Sequence, residues 1–229
     1  RFCASTVKEC FAIMEAQNRG SGITRIENLE AEEIKDFRAL GLKTVFKLKD
    51  EDYVYLTRDL AELKGNRYKS KRAAVNYFQR NYAFKYLPFK SADRKECLVL
   101  FQNWQAERRE HCKEPVYQSM LSDSLAVQKM AMENYRALNL QGRIIRVDGR
   151  IKAYTFGFEL QKDTFCVLFE VSDLKIKGAA NFIFQQFCQE MVKYRYTNCM
   201  DASGLENLKR VKLSFRPCRK IPAYIATNE

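Results

Sequence analysis

The strongest constraint on the fold lies in residues 142–171, where the apolar pattern changes from helical spacing to the alternation of β-strands. The stretch GRIIRVDGRIKAYTFGFEL forms two strand-like runs about Asp148-Gly149, a dipeptide suited to a two-residue hairpin because its backbone tolerates positive φ. A third run, TFCVLFEV, follows at 164–171. Three consecutive strands with short connections predict a largely antiparallel sheet at the centre of this part of the chain.

Helical patterns surround these strands. Helices are expected near 93–110 and 119–138, before the hairpin, and another in NFIFQQFCQEMVKY, after the third strand. A strand in YRYTNCM, a helix in GLENLKRVKL and a last strand in IPAYIAT complete the order. Helices and strands mixed in this way predict an α/β (α+β) fold, with a mixed, mostly antiparallel sheet flanked by helices.

The first half repeats the theme of helices followed by strands. Two short strands, TVFKL (44–48) and YVYLT (53–57), are expected on either side of an acidic turn, DED, and a basic helix follows. A chain of 229 residues is long enough for two modest domains. We therefore expect one half at 1–90, with the basic helix, and a second at 91–229, with the active-site cleft.

The charge is strongly basic and unevenly placed, with 40 Lys and Arg against 28 Asp and Glu and a formal net charge of +12. One acid-free run holds eight cations: Lys64, Arg67, Lys69, Lys71, Arg72, Arg80, Lys85 and Lys90. A second holds six: Lys209, Arg210, Lys212, Arg216, Arg219 and Lys220. Such clusters are typical of solvated helix faces or of anion binding, and two unopposed clusters favour an anionic partner.

Cysteine and histidine usage argues against metal or disulfide chemistry. The eight cysteines include no CxxC pair and lie mostly in apolar stretches, which favours free thiols in a cytoplasmic protein over disulfides. With His111 as the single histidine, a zinc site would need an improbable set of ligands, so we expect no metal. No segment approaches the ~20 consecutive apolar residues that span a bilayer, so we expect no integral membrane segment.

A glycine turn joins the third strand to its helix, in KIKGAANFIFQQF (175–187). The order of strands with this turn looks like the GNAT acyltransferase fold, whose pyrophosphate loop has the pattern basic-x-x-Gly-x-small. Lys175, Gly178 and Ala180 fit that pattern, and a helix N-terminus offers free amide groups to an anion. A phosphate or acyl-donor loop and a purely structural turn are both open here.

Four segments carry a closer resemblance over nearly the whole chain: LAELKGNRYKSKRAAVNYF (60–78), RVDGRIKAYTFGFEL (146–160), EVSDLKIKGAANFIFQQF (170–187) and YTNCMDASGLENLKRVKLSFRP (196–217). They resemble the C-terminal domain of phosphatidylglycerol lysyltransferases and their soluble relatives. That resemblance implies tandem GNAT-like (acyl-CoA N-acyltransferase) domains, related in fold to the Fem-type peptidoglycan transferases. It also implies an amino acid taken from aminoacyl-tRNA, which would serve as co-substrate with no further cofactor required.

Family positions transfer to this chain residue by residue. The late family signature is matched at Asn198, Asp201, Gly204, Glu206, Leu208, Lys212, Ser214, Phe215 and Pro217, with Lys209 and Arg210 as basic exchanges. Glu159, Glu170 and Asn181 match earlier positions. Cys199 and Met200 replace an arginine and a glutamate, and Val171 stands where a lysine is common. These departures bear on the lysine-to-lipid reaction and leave the expected fold intact.

The resemblance and the residue chemistry together predict the site. We expect catalytic roles for Glu159, Glu170, Asp201 and Lys212, and substrate contacts from Asn181, Asn198, Glu206 and Lys209. Carboxylates can hold the ammonium group of an amino acid, and Lys212 can meet a phosphate or a developing negative charge. For nucleic-acid contacts we expect Lys64, Arg67, Lys69, Lys71 and Arg72, which would add affinity without sequence choice.

Three functions are consistent with these sequence features. The first is aminoacyl transfer from aminoacyl-tRNA to a lipid or small acceptor, with tRNA and an anionic lipid as partners at the inner face of the membrane. The second is acetyl-CoA-dependent N-acetylation, which the glycine turn favours. The third is non-catalytic binding of nucleic acid or an anionic surface, which the lost Arg-Glu pair favours.

Overall fold

A computed structural model of the chain describes residues 3–19, 23–111 and 115–228. The helices are α1 (Ala4–Asn18), α2 (Ala31–Ala39), α3 (Thr57–Glu62), α4 (Lys69–Asn81), α5 (Arg94–His111), α6 (Pro115–Glu133), α7 (Ala179–Glu190) and α8 (Glu206–Ser214). The strands are β1 (Ile26–Leu29), β2 (Thr44–Leu56), β3 (Phe84–Pro88), β4 (Gln141–Val147), β5 (Arg150–Gln161), β6 (Thr164–Ser172), β7 (Tyr196–Asn198) and β8 (Arg219–Asn228). Mixed α/β content with mostly antiparallel strands is confirmed.

The chain packs as two compact units. The first unit combines the residues up to Val54 with those from Met200 onward, and the second runs Tyr55–Cys199. These units do not coincide with the expected halves 1–90 and 91–229. The reason is that β8, near the end of the chain, pairs along nearly the whole of β2, which a linear division of the sequence cannot anticipate. The assignment of a GNAT-like domain to each half stays a prediction.

In the first unit, β8 lies between β1 and β2 and is antiparallel to both. Phe37 of α2 and Ala226 of β8 are fully buried in its core, together with Val7, Phe11 and Leu29. The expected pair of short strands about DED is wrong. Instead β2 is one 13-residue strand, and the acidic residues lie at a register shift between Leu48 and Asp50. Antiparallel pairing with β8 continues past the acids and holds them extended.

In the second unit, the strands follow the order β7-β6-β5-β4-β3. The β3–β4, β4–β5 and β5–β6 pairs are antiparallel, whereas β6 and β7 are parallel. The expected hairpin is confirmed: Asp148 and Gly149 have φ of 50° and 77°, the positive values of a type I′ turn. The parallel β7 follows α7, because a parallel neighbour requires a crossover connection.

Helices cover both faces of the strands in this unit. On one face, Tyr154 and Phe156 of β5 and Val171 of β6 pack with Phe101 of α5 in the main apolar cluster. Alternate side chains of a strand point to opposite faces, so Thr155 and Glu170 point the other way. That other face is covered by α7, whose Phe187 ring lies 5.4 Å from the Phe165 ring of β6. The two faces therefore present different surroundings.

Candidate functional site

Glu170 is the predicted site residue with the most unusual surroundings. It lies near the end of β6, opposite Thr155 of β5, on the face that α7 covers. Its side chain is partly exposed as a whole, yet its Oε2 atom is buried and accepts no hydrogen bond from the residues that the structure describes. A buried carboxylate oxygen without a partner is rare in folded proteins, because the lost hydration is not replaced.

Burial dominates the electrostatics of this carboxyl. Loss of solvent raises the pKa of Glu170 to about 8, from an ordinary value of 4.5. Near neutral pH the group therefore exchanges readily between its neutral and charged forms. A cation that entered this site would favour the charged form, since an opposite charge within a few ångströms lowers a carboxyl pKa.

Small hydroxyl and thiol groups lie on the same face of the sheet as Glu170. The Thr57 and Thr197 side chains are both buried, and their Oγ1 atoms are 2.9 Å apart. The buried Cys188 of α7 lies near Thr197 and Glu170. Burial is the main cause of the rise in the pKa of its thiol, and the charge of Glu170 raises that pKa further. Nothing in the sequence pattern marks these residues, because they come from α3, α7 and β7.

Glu159 lies elsewhere on the sheet. It is exposed, it is opposite Phe165 at the start of β6, and its Oε2 accepts a 2.6 Å hydrogen bond from the Tyr194 hydroxyl. The four positions between Thr155 and Glu159 span roughly 13 Å along β5. The structure therefore does not bring Glu159 and Glu170 together, and a shared catalytic role for them stays a prediction.

The two predicted asparagines differ in burial. Asn181 is partly buried in the first turn of α7, and Asn198 is 4% exposed at the end of β7, opposite Cys166. Both belong to elements that flank the α7 face of the second unit. Their predicted substrate contacts are compatible with this placement and remain predictions.

The glycine turn has a packing explanation. Gly178 caps α7 with φ of 86°, and a Cβ there would lie 2.2 Å from the carbonyl oxygen of Ala74 in α4. The Ala179 amide donates to the carbonyl of Ile176, and the Lys175 ammonium is 82% exposed, 3.6 Å from Glu107. Ala180 is partly buried. A close approach of α4 to α7 thus accounts for the glycine, and the phosphate-loop role stays a prediction.

The other four predicted residues belong to the first unit. The Lys212 ammonium donates to the backbone carbonyls of Met200, at 3.1 Å, and of Asp201. Asp201 itself accepts from the Ser203 amide at 2.8 Å. Glu206 and Lys209 are exposed on the first turn of α8 and lie 3.9 Å apart. Asp201 and Lys212 therefore serve the local backbone in this structure.

The basic run around α4 is partly neutralised. Lys64 pairs with Glu62 at 2.9 Å and Arg67 with Asp59 at 2.7 Å, so acids just before the run supply the partners. The Arg72 guanidinium donates to two carbonyls of the α3–α4 connection, those of Leu63 and Gly65. Both acids lie just before the acid-free run, so the composition of the run alone does not reveal these ion pairs.

Lys69 and Lys71 lie in the first turn of α4. Lys69 is exposed, and Lys71 is partly buried, which lowers the pKa of its ammonium group. Fewer cations than the sequence suggested are therefore available to an anionic partner here. Nucleic-acid binding by the five predicted residues is an expectation that the structure leaves to experiment.

Metal binding and membrane spanning also bear on the site. Within the described residues, no group of three or more His, Cys, Asp or Glu side chains is arranged to hold a metal ion. None of the helices in the described ranges is both long and apolar enough to cross a membrane.

Known proteins provide an independent measure of likeness. The family described as phosphatidylglycerol lysyltransferase, C-terminal, matches residues 12–227. A comparison with curated proteins finds no significant match.

Solved structures extend that likeness to the fold. A conserved protein of unknown function from Bacteroides thetaiotaomicron has a TM-score of 0.80 at 27% identity, covering 99% of this chain and 75% of its own. L-PGS from Bacillus licheniformis has a TM-score of 0.66 at 16% identity, with coverages of 98% and 73%. A tandem GNAT protein from the clavulanic acid biosynthesis pathway has a TM-score of 0.50 at 9% identity, with coverages of 89% and 62%. The chain therefore has a GNAT-like acyltransferase fold.

Proposed function

The chain belongs to the family of phosphatidylglycerol lysyltransferase C-terminal domains, and from this premise we propose that it transfers an aminoacyl group from aminoacyl-tRNA to a lipid or small acceptor. The observation that carries the proposal is the carboxyl of Glu170: one of its oxygens is buried on the α7 face of the second unit's strands and has no hydrogen-bond partner among the described residues. A lipid acceptor would place the working protein at the cytoplasmic face of a membrane, because charged tRNA is found in that compartment.

The reaction makes modest chemical demands. The acceptor hydroxyl or amine attacks the carbonyl carbon of the aminoacyl ester, a new ester or amide bond forms, and the bond to the terminal ribose of the tRNA breaks. The ribose oxygen leaves and takes up the acceptor's proton. Because the ester is already activated, no covalent enzyme intermediate is needed, and holding the two reactants together supplies much of the rate.

In this proposal, Glu170 binds the ammonium group of the amino acid. Because its Oε2 atom is buried and has no hydrogen-bond partner among the described residues, an entering ammonium would supply the charge-assisted hydrogen bond that water provides to an exposed carboxylate. With a pKa of about 8, the carboxyl of Glu170 would release a proton as the cation binds near pH 7. The carboxylate would orient the amino acid and leave its ester carbonyl open to the acceptor.

A transfer assay tests this function directly. The protein is incubated with a mixed pool of aminoacyl-tRNAs and vesicles containing phosphatidylglycerol, with acetyl-CoA and an amine acceptor in parallel, and mass spectrometry identifies the modified acceptor. We expect an aminoacylated acceptor and loss of at least about a hundredfold in rate for Glu170→Gln, since a charge-assisted contact in a desolvated site is removed. Binding of tRNA should survive in this variant.

Glu110→Gln is the matched control, because Glu110 is an exposed glutamate of α5 in the same unit. It should react at the wild-type rate. A product formed only from acetyl-CoA would replace this proposal by N-acetylation, and salt-sensitive tRNA binding without product from either donor would leave a binding protein. Wild-type turnover in Glu170→Gln would remove Glu170 from the mechanism.

A further inference from the structure

A groove of about 570 Å³ lies in the second unit, between α5 and the ends of β5 and β6, on the face opposite to α7. One wall is a side of α5 that includes Val99, Leu100 and Trp104. The other is formed by the start of β5 and by the turn after β6, with Arg150 and Leu174. A volume of this size is typical of sites that enclose one small organic ligand.

One exposed apolar side chain on each wall lines this groove. Val99 is 47% exposed and Leu174 is 46% exposed, and both line the space together with Leu100 and Ile151. Burying such surfaces against an apolar chain is favourable by about 25 cal/mol for each Å². Trp104 also lines the groove, and its ring is already in contact with Phe101, which stacks on it, and with Arg108, which lies 5.3 Å from the ring centre. Stacking of a nucleobase on this indole is therefore disfavoured.

The acids of the groove are largely engaged by the protein. Glu96 accepts from the Ile151 amide at 2.6 Å and from Arg146 at 2.7 Å. Asp173 pairs with Lys152 at 2.7 Å and accepts from the Lys175 amide at 2.9 Å. These two carboxylates thus have little capacity left for a ligand, whereas Glu107, the third acid of the lining, lies 3.6 Å from the Lys175 ammonium.

The cations of the groove are less engaged. Arg150 is exposed and makes no ion pair within the described part of the chain. Lys175 is 82% exposed, and its 3.6 Å separation from Glu107 is longer than a hydrogen bond. The groove therefore combines exposed apolar side chains with two exposed cations, Arg150 and Lys175.

We propose that this groove binds a small amphipathic anion, in which a carboxylate or phosphate head is attached to one apolar chain. The head lies between Arg150 and Lys175, where a planar guanidinium can hold two oxygens of an anion. The chain lies along Val99, Leu100 and Leu174. This site is separate from Glu170, whose side chain points to the opposite face of the sheet, so its occupancy does not rest on the transferase proposal.

The chain's single tryptophan, Trp104, is a built-in reporter because it lines the groove. Laurate, monododecyl phosphate and lysophosphatidylglycerol are titrated below their micelle concentrations, and tryptophan emission is recorded. We expect a saturable blue shift with laurate or monododecyl phosphate, and the stronger of the two identifies the preferred head group. Binding of lysophosphatidylglycerol as well would identify a lipid as a source of that chemistry. Inorganic phosphate and neutral dodecyl maltoside should leave the emission unchanged.

Two variants test the head-group contact and the apolar contact separately. Arg150→Gln should weaken binding roughly tenfold, since one charge-assisted contact is lost. Leu174→Asn should weaken binding through the apolar chain while the head-group preference is kept. Lys129→Gln, an exposed lysine of α6, is the charge-matched control and should bind as the wild type does.

The Glu170→Gln variant should also keep wild-type affinity in this titration, even where transfer activity is lost. Three results would overturn the proposal: equal binding of dodecyl maltoside, full competition by inorganic phosphate alone, or unchanged affinity in Arg150→Gln. Failure of aminoacyl transfer would leave it standing, because the titration measures binding without any donor.

Discussion

The acids predicted in the two units have opposite surroundings. In the second unit, the Oε2 atom of Glu170 is buried and has no hydrogen-bond partner among the described residues. In the first unit, Asp201 accepts from the Ser203 amide, and Lys212 is bound to backbone carbonyls at 200 and 201. A buried carboxyl without a hydrogen-bond partner lowers the stability of the fold, whereas the hydrogen bonds of Asp201 and Lys212 stabilise a turn.

The difference teaches that matching a family position does not reveal how a side chain is used. Local structure accounts for Lys212 and Asp201, because removing either side chain would leave backbone groups of one turn without their hydrogen bonds. No local contact of this kind accounts for Glu170. A buried polar atom without a hydrogen-bond partner among the described residues, near the end of an apolar strand, is a feature of ligand sites. Variants at these positions can therefore break or sharpen the contrast.

The largest effect is expected for the pH dependence of stability at Glu170. Its pKa is raised in the folded chain, so the unfolded chain ionises first, from pH 4.5, while the folded carboxyl stays neutral until about pH 8. The free energy of unfolding should fall with rising pH across this window. At about 1.4 kcal/mol for each pKa unit, the fall is at most ~5 kcal/mol.

Chemical denaturation of the wild type and of Glu170→Gln at pH 5 and pH 8.5 measures this fall. The variant should lose the component that the wild type shows, because glutamine does not ionise. Parallel pH profiles for the two proteins would mean that Glu170 is solvated, and the contrast between the units would disappear.

Gly178→Ala should have the next largest effect. A Cβ at Gly178 would meet the Ala74 carbonyl oxygen at 2.2 Å, in addition to the strain of a positive φ. Gly149→Ala is the matched control, because Gly149 also has positive φ but open space around it. We expect Gly178→Ala to destabilise the protein by about 2–3 kcal/mol more than the control does, as measured by denaturation.

Equal losses in the two glycine variants would contradict the packing explanation of the turn. A loss of affinity for the acyl donor in Gly178→Ala without a loss of stability would instead support the phosphate-loop role. The experiment thus separates the two interpretations that the sequence left open.

Lys212→Met tests the first unit. The methionine keeps most of the apolar stem but cannot donate to the carbonyls of Met200 and Asp201, so we expect a loss of about 1–2 kcal/mol in unfolding free energy. Lys209→Met, at an exposed position of the same helix, should change stability by less than about 0.5 kcal/mol. A catalytic Lys212 would show a loss of turnover far larger than the loss of folded protein explains.

Asp201→Asn should have the smallest effect on stability. Asparagine keeps an oxygen that can accept from the Ser203 amide, so the turn survives and the expected change is below about 0.5 kcal/mol. A large drop in turnover at unchanged stability would show that the charge of Asp201 acts on substrate. The same assay would then move the first unit from a structural to a functional role.

Local patterns predicted most of the secondary structure. The Asp148-Gly149 hairpin, the strand at 164–171 and the helix after Gly178 each depend on residues that are close in sequence. The prediction of two strands around DED was wrong because continuous pairing with β8, more than 150 residues away, outweighs the local turn preference of acidic residues.

The candidate site was predictable only in its residue types. The sequence marked Glu170 as an acid at the end of an apolar strand, and alternation within β6 determined that it would face away from Val171. It did not reveal that the buried oxygen of Glu170 has no hydrogen-bond partner among the described residues, or that Lys64 and Arg67 form ion pairs. Those outcomes depend on which side chains meet through space.

By itself, the amino-acid order determined the hairpin, the family and most of the helices and strands, because backbone preferences and apolar periodicity act over a few residues. Tertiary structure alone decided that β8 completes a sheet begun by β2, that α4 approaches Gly178 too closely for a side chain, and that an apolar groove lies beside Arg150. Each of these depends on burial and on contacts between distant segments, and these exist only once the chain has packed.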